Sequence, residues 1–277
     1  MRGVRFVDPA GETRIGALAD SSVRDAGPSG PRGFVPSPEA WRSLAQASGA
    51  EYGLDEVRLL HPVVPDKILG IGVNYRSHAE ESDLDIPAVP VIFAEWPSSL
   101  VGPDEDIVVP LEETRPDYEG EVAVILGERV YRASLEEARR AIGGISAFND
   151  VSGRRAQLET PLRQFTLGKS FDTFSPMGPC IASPDSVELD RIGLKTTVSG
   201  ELMQEARTDD LVFSLAELIE YASRGLTLEA GDVIATGTPG GVGDSRNPPR
   251  YLQEGDVVEV WVEGVGTLRN AVRSEVG

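Results

Sequence analysis

Three carboxylates in two short segments carry the most chemistry in this chain. Glu119 and Glu121 lie in D-Y-E-G-E, from Asp117 to Glu121, directly before the apolar run Val122 to Leu126. Asp150 closes the segment Gly143–Asp150, about one secondary-structure unit later. On a strand over 117–126, residues two apart face the same way. Asp117, Glu119 and Glu121 then line one face, and Gly120 leaves the other side open. Carboxylates crowded at the mouth of a buried strand repel one another and resist ionisation. A hard divalent cation removes that conflict, and an all-oxygen set with open positions suits Mg²⁺ or Mn²⁺. Spacing alone fits the wet face of an edge strand equally well, because acidic pairs are common.

Other side chains offer proton transfer and charge. The chain has 2 histidines. His61 precedes Pro62 and reads as structural. His78 lies in N-Y-R-S-H-A-E-E, and on a short helix it shares a face with Glu81. Glu81 could orient the imidazole and support its charge, and the imidazole could take a proton from water. The plain alternative is a surface histidine beside acids. Lys169, in G-K-S-F-D-T-F, sits between Leu167 and Phe171 and could point into a cleft to neutralise a developing enolate or carboxylate; a surface lysine is the ordinary outcome. Arg154 and Gln157 follow Asp150 on one helical face if that segment coils, and a structural salt bridge is the competing role for Arg154.

Two glycine-rich segments resemble nucleotide sites only in part. Gly70-Ile71-Gly72-Val73-Asn74-Tyr75 lacks the third glycine of a dinucleotide fingerprint. The segment Thr236 to Gly243 lacks the Lys-Ser/Thr of a phosphate loop. It can instead form a turn whose N–H groups, with Gly237 and Thr238, hold a carboxylate or carbonyl oxygen, or simply a Gly/Pro turn.

These groups must be positioned by a strand-rich frame. Val4–Val7 and Arg14–Ala17 read as short strands, Asp20 to Gly33 as a loop, and Ser37-Pro38 as a helix start. His61 to Pro65 is a stiff connector, which divides a small N-terminal domain (1–64) from a catalytic domain (65–277). Further strands are expected at 67–72, 91–94, 107–109, 121–126, 143–150, 178–182, 194–198, 233–236, 257–262 and 266–272, with a hairpin turn at Ser199-Gly200. Capping boxes Ser134/Glu137 and Ser214/Glu217 open helices over 135–142 and 215–224. Strands outnumber helices without βαβ alternation, which argues against a doubly wound sheet and for a mixed α/β, strand-rich fold.

Bulk composition bounds the partners. The 277 residues include 40% hydrophobic and 26% charged, enough for a sizeable core. The net charge of −19 opposes nucleic acid and anionic membrane surfaces, although a metal and local cations can invert the field in one cleft. A single Cys180 fits a reducing compartment. No signal peptide and no membrane-spanning run is evident, so a cytoplasmic location is expected.

Six segments in order resemble the fumarylacetoacetate hydrolase superfamily: Lys67–Glu81, Pro116–Gly127, Phe148–Gln157, Gly168–Pro179, Gly231–Gly243 and Leu252–Val260. The resemblance implies a β-roll of mixed sheets behind a small N-terminal α+β domain. It implies one divalent cation per chain on Glu119, Glu121 and Asp150, and a catalytic His78–Glu81 dyad on a mobile lid with Lys169. It also implies substrate contacts from Tyr75, Arg76, Arg154, Gln157, Gly237 and Thr238, and a homodimer, to which apolar Leu211-Val212-Phe213 adds weak support. The leading expectation is hydrolysis of a C–C bond in a 2-oxo or 1,3-dicarbonyl acid. Decarboxylase, isomerase or hydratase chemistry, a biosynthetic member with a bulkier apolar substrate, and a non-catalytic metal-binding homologue are the alternatives. Three departures from relatives stand out: Phe93-Ala94-Glu95-Trp96-Pro97 where many have F-x-K-P, Ser152-Gly153-Arg154-Arg155 for S-A-R-D, and Val198-Ser199-Gly200 for V-N-G. Glu95 and Trp96 lead to the expectation of a substrate with a chelating head and a mostly uncharged tail.

Overall fold

The apolar run after the acidic pair becomes the central strand of the molecule. The computed structural model describes residues 1–276. In chain order its strands are β1 (Arg2–Val7), β2 (Thr13–Leu18), β3 (Ser22–Pro28), β4 (Glu51–Gly53), β5 (Arg58–Leu60), β6 (Ile68–Gly72), β7 (Val91–Glu95), β8 (Leu100–Val101), β9 (Ile107–Val109), β10 (Pro116–Asp117), β11 (Gly120–Leu126), β12 (Ile142–Asn149), β13 (Ser152–Gly153), β14 (Ser175–Ala182), β15 (Gly193–Val198), β16 (Glu201–Arg207), β17 (Val233–Ala235), β18 (Val257–Val262) and β19 (Gly266–Ser274). The helices are α1 (Pro38–Ala45), α2 (Arg76–Glu81), α3 (Leu135–Arg140), α4 (Arg154–Leu158), α5 (Phe165–Lys169) and α6 (Leu215–Ser223).

A large mixed sheet runs β4-β3-β2-β1-β14-β12-β11-β17-β6-β7, and a second sheet runs β16-β15-β18-β19-β9. All seven residues of β11 are buried, which explains why it reads as a continuous apolar run rather than an alternating one. Its two faces feed two cores. Ala123 and Ile125 pack with Ile68, Phe148, Met177 and Val233. Val122, Val124 and Leu126 face the other way, into the core shared with Val258, Val260 and Val262 of the second sheet.

Three readings of the sequence are corrected. Residues 20–33 contain β3, which pairs with β2 from Leu18↔Val23 to Arg14↔Pro28; buried Val23 and Asp25 alternate along it, and its Gly, Pro and Ser content hid that pattern. The strand expected over 117–126 breaks at Tyr118–Glu119, because β10 leaves the main sheet to pair with β13. Gly120 does not face open space: a Cβ there would lie 1.9 Å from Thr196 Oγ1 of β15. Glycine is required at that point for the two sheets to approach.

The readings of one hairpin turn and of two helix starts hold. Ser199 and Gly200 have φ of 49° and 83° and close the β15–β16 hairpin. Both capping boxes form, at Ser134/Glu137 and Ser214/Glu217. The N-terminal strands extend the main sheet directly, since β1 pairs with β14. Among the described residues no helix is long and apolar enough to cross a membrane.

Candidate active site

The acidic triad is assembled by one antiparallel ladder. Gly120 pairs with Asn149 and Glu121 with Phe148 in the β11–β12 register. One step further out, Asp150 N–H donates to the Glu119 carbonyl at 2.8 Å, and Glu119 N–H donates to Asn149 Oδ1 at 3.1 Å. That register carries Asp150 beside two glutamates that precede it by one strand, one helix and a second strand. Ligand atoms of Glu119, Glu121 and Asp150 lie within 4.8 Å of one another, and all three residues are buried.

Two cations hold this floor together. Lys169 Nζ donates to Glu119 Oε2 at 2.7 Å and to Asp150 Oδ2 at 2.5 Å. Arg154 donates to Glu119 Oε1 at 2.6 Å and, from Nε and Nη2, to Asp117 Oδ2 at 2.9 and 2.8 Å. Its Nη1 donates to Gln157 Oε1 at 3.0 Å, which fixes the Gln157 amide and leaves Nε2 as the outward donor. Burial opposes ionisation of Glu119, but Lys169 and Arg154 outweigh it and hold its pKa at about 2. Burial, with Glu119's charge, pushes Asp150 up to about 7 despite Lys169. Burial and Asp150 push Glu121 well above the usual carboxylate range. Burial also opposes the Lys169 ammonium, but Asp150 and Glu119 outweigh it and raise its pKa.

The donor set fits a hard divalent cation. Asp150 Oδ1 is buried without a hydrogen-bond partner among the described residues, and a buried polar atom left so is costly unless something satisfies it. Three carboxylates that resist sharing three charges are relieved by a dication in the same way.

The segment expected to hold substrate oxygens does something different. Gly237 N–H donates to Glu121 Oε2 at 2.8 Å, Gly241 N–H to Glu81 Oε2 at 2.8 Å, and Gly243 and Asp244 N–H to Asp117 at 2.8 and 3.0 Å. The turn therefore binds carboxylates, but those of the chain itself. Gly237, at φ of 102°, has no room for a side chain: a Cβ would lie 2.8 Å from Asn74 Cβ. Thr238 does line the cleft, yet its hydroxyl already donates to the Gly120 carbonyl at 3.0 Å and accepts from Gln204 at 2.8 Å.

The cleft above the floor has a volume of about 310 Å³ and brings His78, Glu119, Arg154, Gln157 and Lys169 to one space. Its walls are apolar, with Ile71, Val91, Phe93, Leu158, Phe165 and Val242. Phe93 stacks on Phe165 at 5.7 Å and lies 5.5 Å from Lys169 Nζ. His78 and Glu81 share one face of α2, with Nδ1 and Oε2 4.0 Å apart, an ion-pair distance rather than a hydrogen bond. Burial opposes the Glu81 carboxylate, but His78 and the Gly241 N–H outweigh it and hold its pKa below the usual range.

Several expected contacts are not made. Tyr75 is 0% exposed and is not among the side chains that line the cleft; its buried hydroxyl has no hydrogen-bond partner among the described residues. Arg76 turns away and donates to the Leu211 and Asp210 carbonyls at 2.6 and 3.2 Å. Asp117 is no triad member but the counter-ion of Arg154. Glu95 and Trp96 are absent from the cleft wall. Trp96 is 51% exposed elsewhere, and Glu95 is buried behind the triad, where Ser175 donates to its Oε2 at 2.9 Å. Burial and Asp150 push its carboxyl well above the usual range. The uncharged-tail expectation loses its basis. Asp244, whose Oδ1 accepts from Tyr251 OH at 2.5 Å, and Arg163 line the cleft without having been singled out; nothing in their local sequence marks them.

Mixed sheets thus carry a buried Glu-Glu-Asp group, consistent with a divalent-metal site, under an apolar cleft. The fumarylacetoacetate (FAA) hydrolase C-terminal model matches residues 67–273, and the chain belongs to this family. It is 44% identical over 228 residues to the oxaloacetate tautomerase YisK of Bacillus subtilis (strain 168), covering 80% of this chain and 75% of that protein. It is 38% identical over 219 residues to the mitochondrial oxaloacetate tautomerase FAHD2A of Homo sapiens, covering 78% and 70%. Among solved structures, the 2-hydroxyhepta-2,4-diene-1,7-dioate isomerase of Mycobacterium marinum superposes with a TM-score of 0.82 at 30% identity, covering 100% of both chains. The fumarylacetoacetate hydrolase of Exiguobacterium antarcticum does so with 0.84 at 36%, covering 99% and 100%.

Proposed function

We propose that this chain is a metal-dependent tautomerase or isomerase of a 2-oxo acid, moving a proton on the carbon next to the keto group. The observation that carries this reading is the buried Lys169 ammonium, within 2.7 Å of Glu119 and 2.5 Å of Asp150, in the same cleft as His78. Positive charge at the floor and a proton carrier at the mouth are what enolisation needs. The names of the relatives, tautomerase and isomerase, favour this chemistry over the C–C hydrolysis that the sequence put first.

A divalent ion on Glu119, Glu121 and Asp150, Mg²⁺ or Mn²⁺, would supply Lewis acidity at the substrate's keto and carboxylate oxygens. The protein residues divide the remaining work. Gln157 Nε2 orients the substrate carboxylate. The His78 ring nitrogen facing away from Glu81, Nε2, takes the proton from C3, and Glu81 supports the imidazolium. Negative charge gathers on the C2 oxygen against Lys169. Return of the proton to oxygen gives the enol; return to carbon gives the ketone. Phe93, Phe165 and Leu158 limit water, which would otherwise compete for the proton.

The test follows enol–keto equilibration of oxaloacetate by ultraviolet absorbance, with Mg²⁺ or Mn²⁺ and with chelator. Equilibration faster than the metal–buffer control, lost in His78→Ala, is the expected result. No acceleration over that control, together with efficient cleavage of acylpyruvates, overturns it in favour of hydrolysis.

A further inference from the structure

We infer that Arg163 reads a second carboxylate at the far end of the substrate. The cationic Arg and Lys side chains of the cleft fall into two sets, beside the carboxylates of Glu119 and Asp244. Arg154 and Lys169 are buried and already engaged with Asp117, Glu119 and Asp150. Arg163 lines the same cleft, is exposed, and has no salt bridge or side-chain hydrogen bond among the described residues. In a chain of net charge −19, an unpaired guanidinium on a substrate cleft is a ready partner for an anion.

Its backbone is placed. The loop from Glu159 to Gln164 joins α4, which carries Arg154 and Gln157, to α5, which ends on Lys169. Gln164 N–H donates to the Gln157 carbonyl at 2.9 Å and Arg163 N–H to the Thr160 carbonyl at 3.1 Å. Arg163 itself has φ of 49°, a left-handed conformation uncommon for a residue with a side chain. The loop is thus closed on itself by one bond and tied to Gln157 by the other. Apolar side chains of Leu158, Phe165 and Phe93 share the wall with Arg163.

The inference rests on the 2-oxo acid reading and deepens it. The substrate class is a 2-oxo acid, or its enol, whose carbon chain runs along the apolar wall and ends in a carboxylate paired with the Arg163 fork. A planar guanidinium can meet that carboxylate with two parallel hydrogen bonds.

The experiment compares 2-oxoadipate with 2-oxohexanoate, which have the same number of carbons and differ only in the terminal group. Binding is read by calorimetry with Mg²⁺, and enolisation by exchange of the C3 protons in D₂O. Variants are Arg163→Asn, which tolerates the left-handed backbone, and Arg163→Lys, which keeps the charge without the fork. Wild type should bind the diacid more tightly by about tenfold, on the scale of a hydrogen bond to a charged group. Arg163→Asn should bring that ratio near one, and Arg163→Lys should keep part of it. In each variant the monoacid is the internal reference, so a general loss of structure moves both acids together. A wild-type ratio near one, or a ratio unchanged in Arg163→Asn, overturns the inference. Selective binding that depends on Arg163 without any C3 exchange upholds the tail contact and refutes the enolisation reading instead.

Discussion

The floor and the rim of the cleft are built on opposite principles. At the floor, Glu119, Asp150, Arg154 and Lys169 are buried and each meets an opposite charge within 2.9 Å. Their backbones lie at the end of the β11–β12 ladder or in the short helices α4 and α5, which pack on β13. At the rim, His78 and Glu81 stand 4.0 Å apart on a helix of six residues, and Arg163 has no ionic partner among the described residues. A buried charge lattice tolerates little adjustment, because removing one member strands the others. A rim of half-solvated groups can change at little cost to stability. The floor suits the charge-holding that is common to many 2-oxo acids, and the rim joins the proton carrier, His78, to the group that chooses among substrates, Arg163.

Four experiments can break or sharpen this contrast. The largest effect is expected at the triad. Glu119→Ala or Asp150→Ala should abolish divalent-cation binding in calorimetry and lower turnover by about 10³-fold or more. Full activity after chelator treatment would contradict the metal role altogether. Next comes Asp117→Ala, which never touches the proposed substrate but leaves Arg154 short of a buried partner. It should lower unfolding stability by about 3–5 kcal/mol, measured by urea titration; a loss below about 1 kcal/mol would place Arg154 among ordinary surface ion pairs.

At the rim, His78→Ala and Glu81→Gln should each reduce C3 proton exchange by about 10²-fold, with thermal stability nearly unchanged. The double variant should be little worse than either single one, because members of one unit are not additive. Additive losses would separate the two residues. The mildest effect concerns pH. Asp150 has a pKa of about 7, so below that pH it holds a proton that an incoming cation must displace. Cation affinity should therefore rise with pH, by about tenfold per unit from Asp150 alone, and flatten above about 7. Affinity independent of pH between about 5 and 7 would mean that Asp150 is not a ligand.

The floor was more legible in the sequence than the rim, for a physical reason. Glu119, Glu121 and Asp150 sit at the ends of long apolar strands, and a period of two or a continuous apolar run announces both the strand and its exposed end. Lys169 was legible because a lysine among aromatics is unusual. The role of Asp117 was not, since the chain breaks at Tyr118 and Glu119, and spacing cannot show that a strand changes partners. The segment from Thr236 to Gly243 could be read as an oxygen-holding turn or as a plain Gly/Pro turn; its N–H groups hold carboxylates of the chain itself, from residues over a hundred positions away. Tyr75 and Arg76 cap and open α2 yet do not line the cleft, because a helix start distributes its side chains around the axis and, of α2, His78 faces the cleft. Arg163 is one arginine in an acidic chain with a short polar loop around it, and only the fold reveals what it adjoins. Glu95 is the sharpest reversal: its substitution was visible, but its direction depends on β7 pairing with β6 at the sheet edge.

The way the triad is encoded also bears on how such a protein can diversify. All three carboxylates sit in or one step beyond the end of a single ladder, β11 against β12, within one continuous stretch of chain. His78 follows the parallel strand β6, and Arg163 sits between α4 and α5, after that stretch has ended. Insertions or replacements in the rim segments therefore alter neither the register nor the length of the ladder. A lineage can exchange its substrate by rewriting the Arg163 segment while inheriting the ladder and the His78–Glu81 pair intact, much as a tool keeps its handle when the bit is changed.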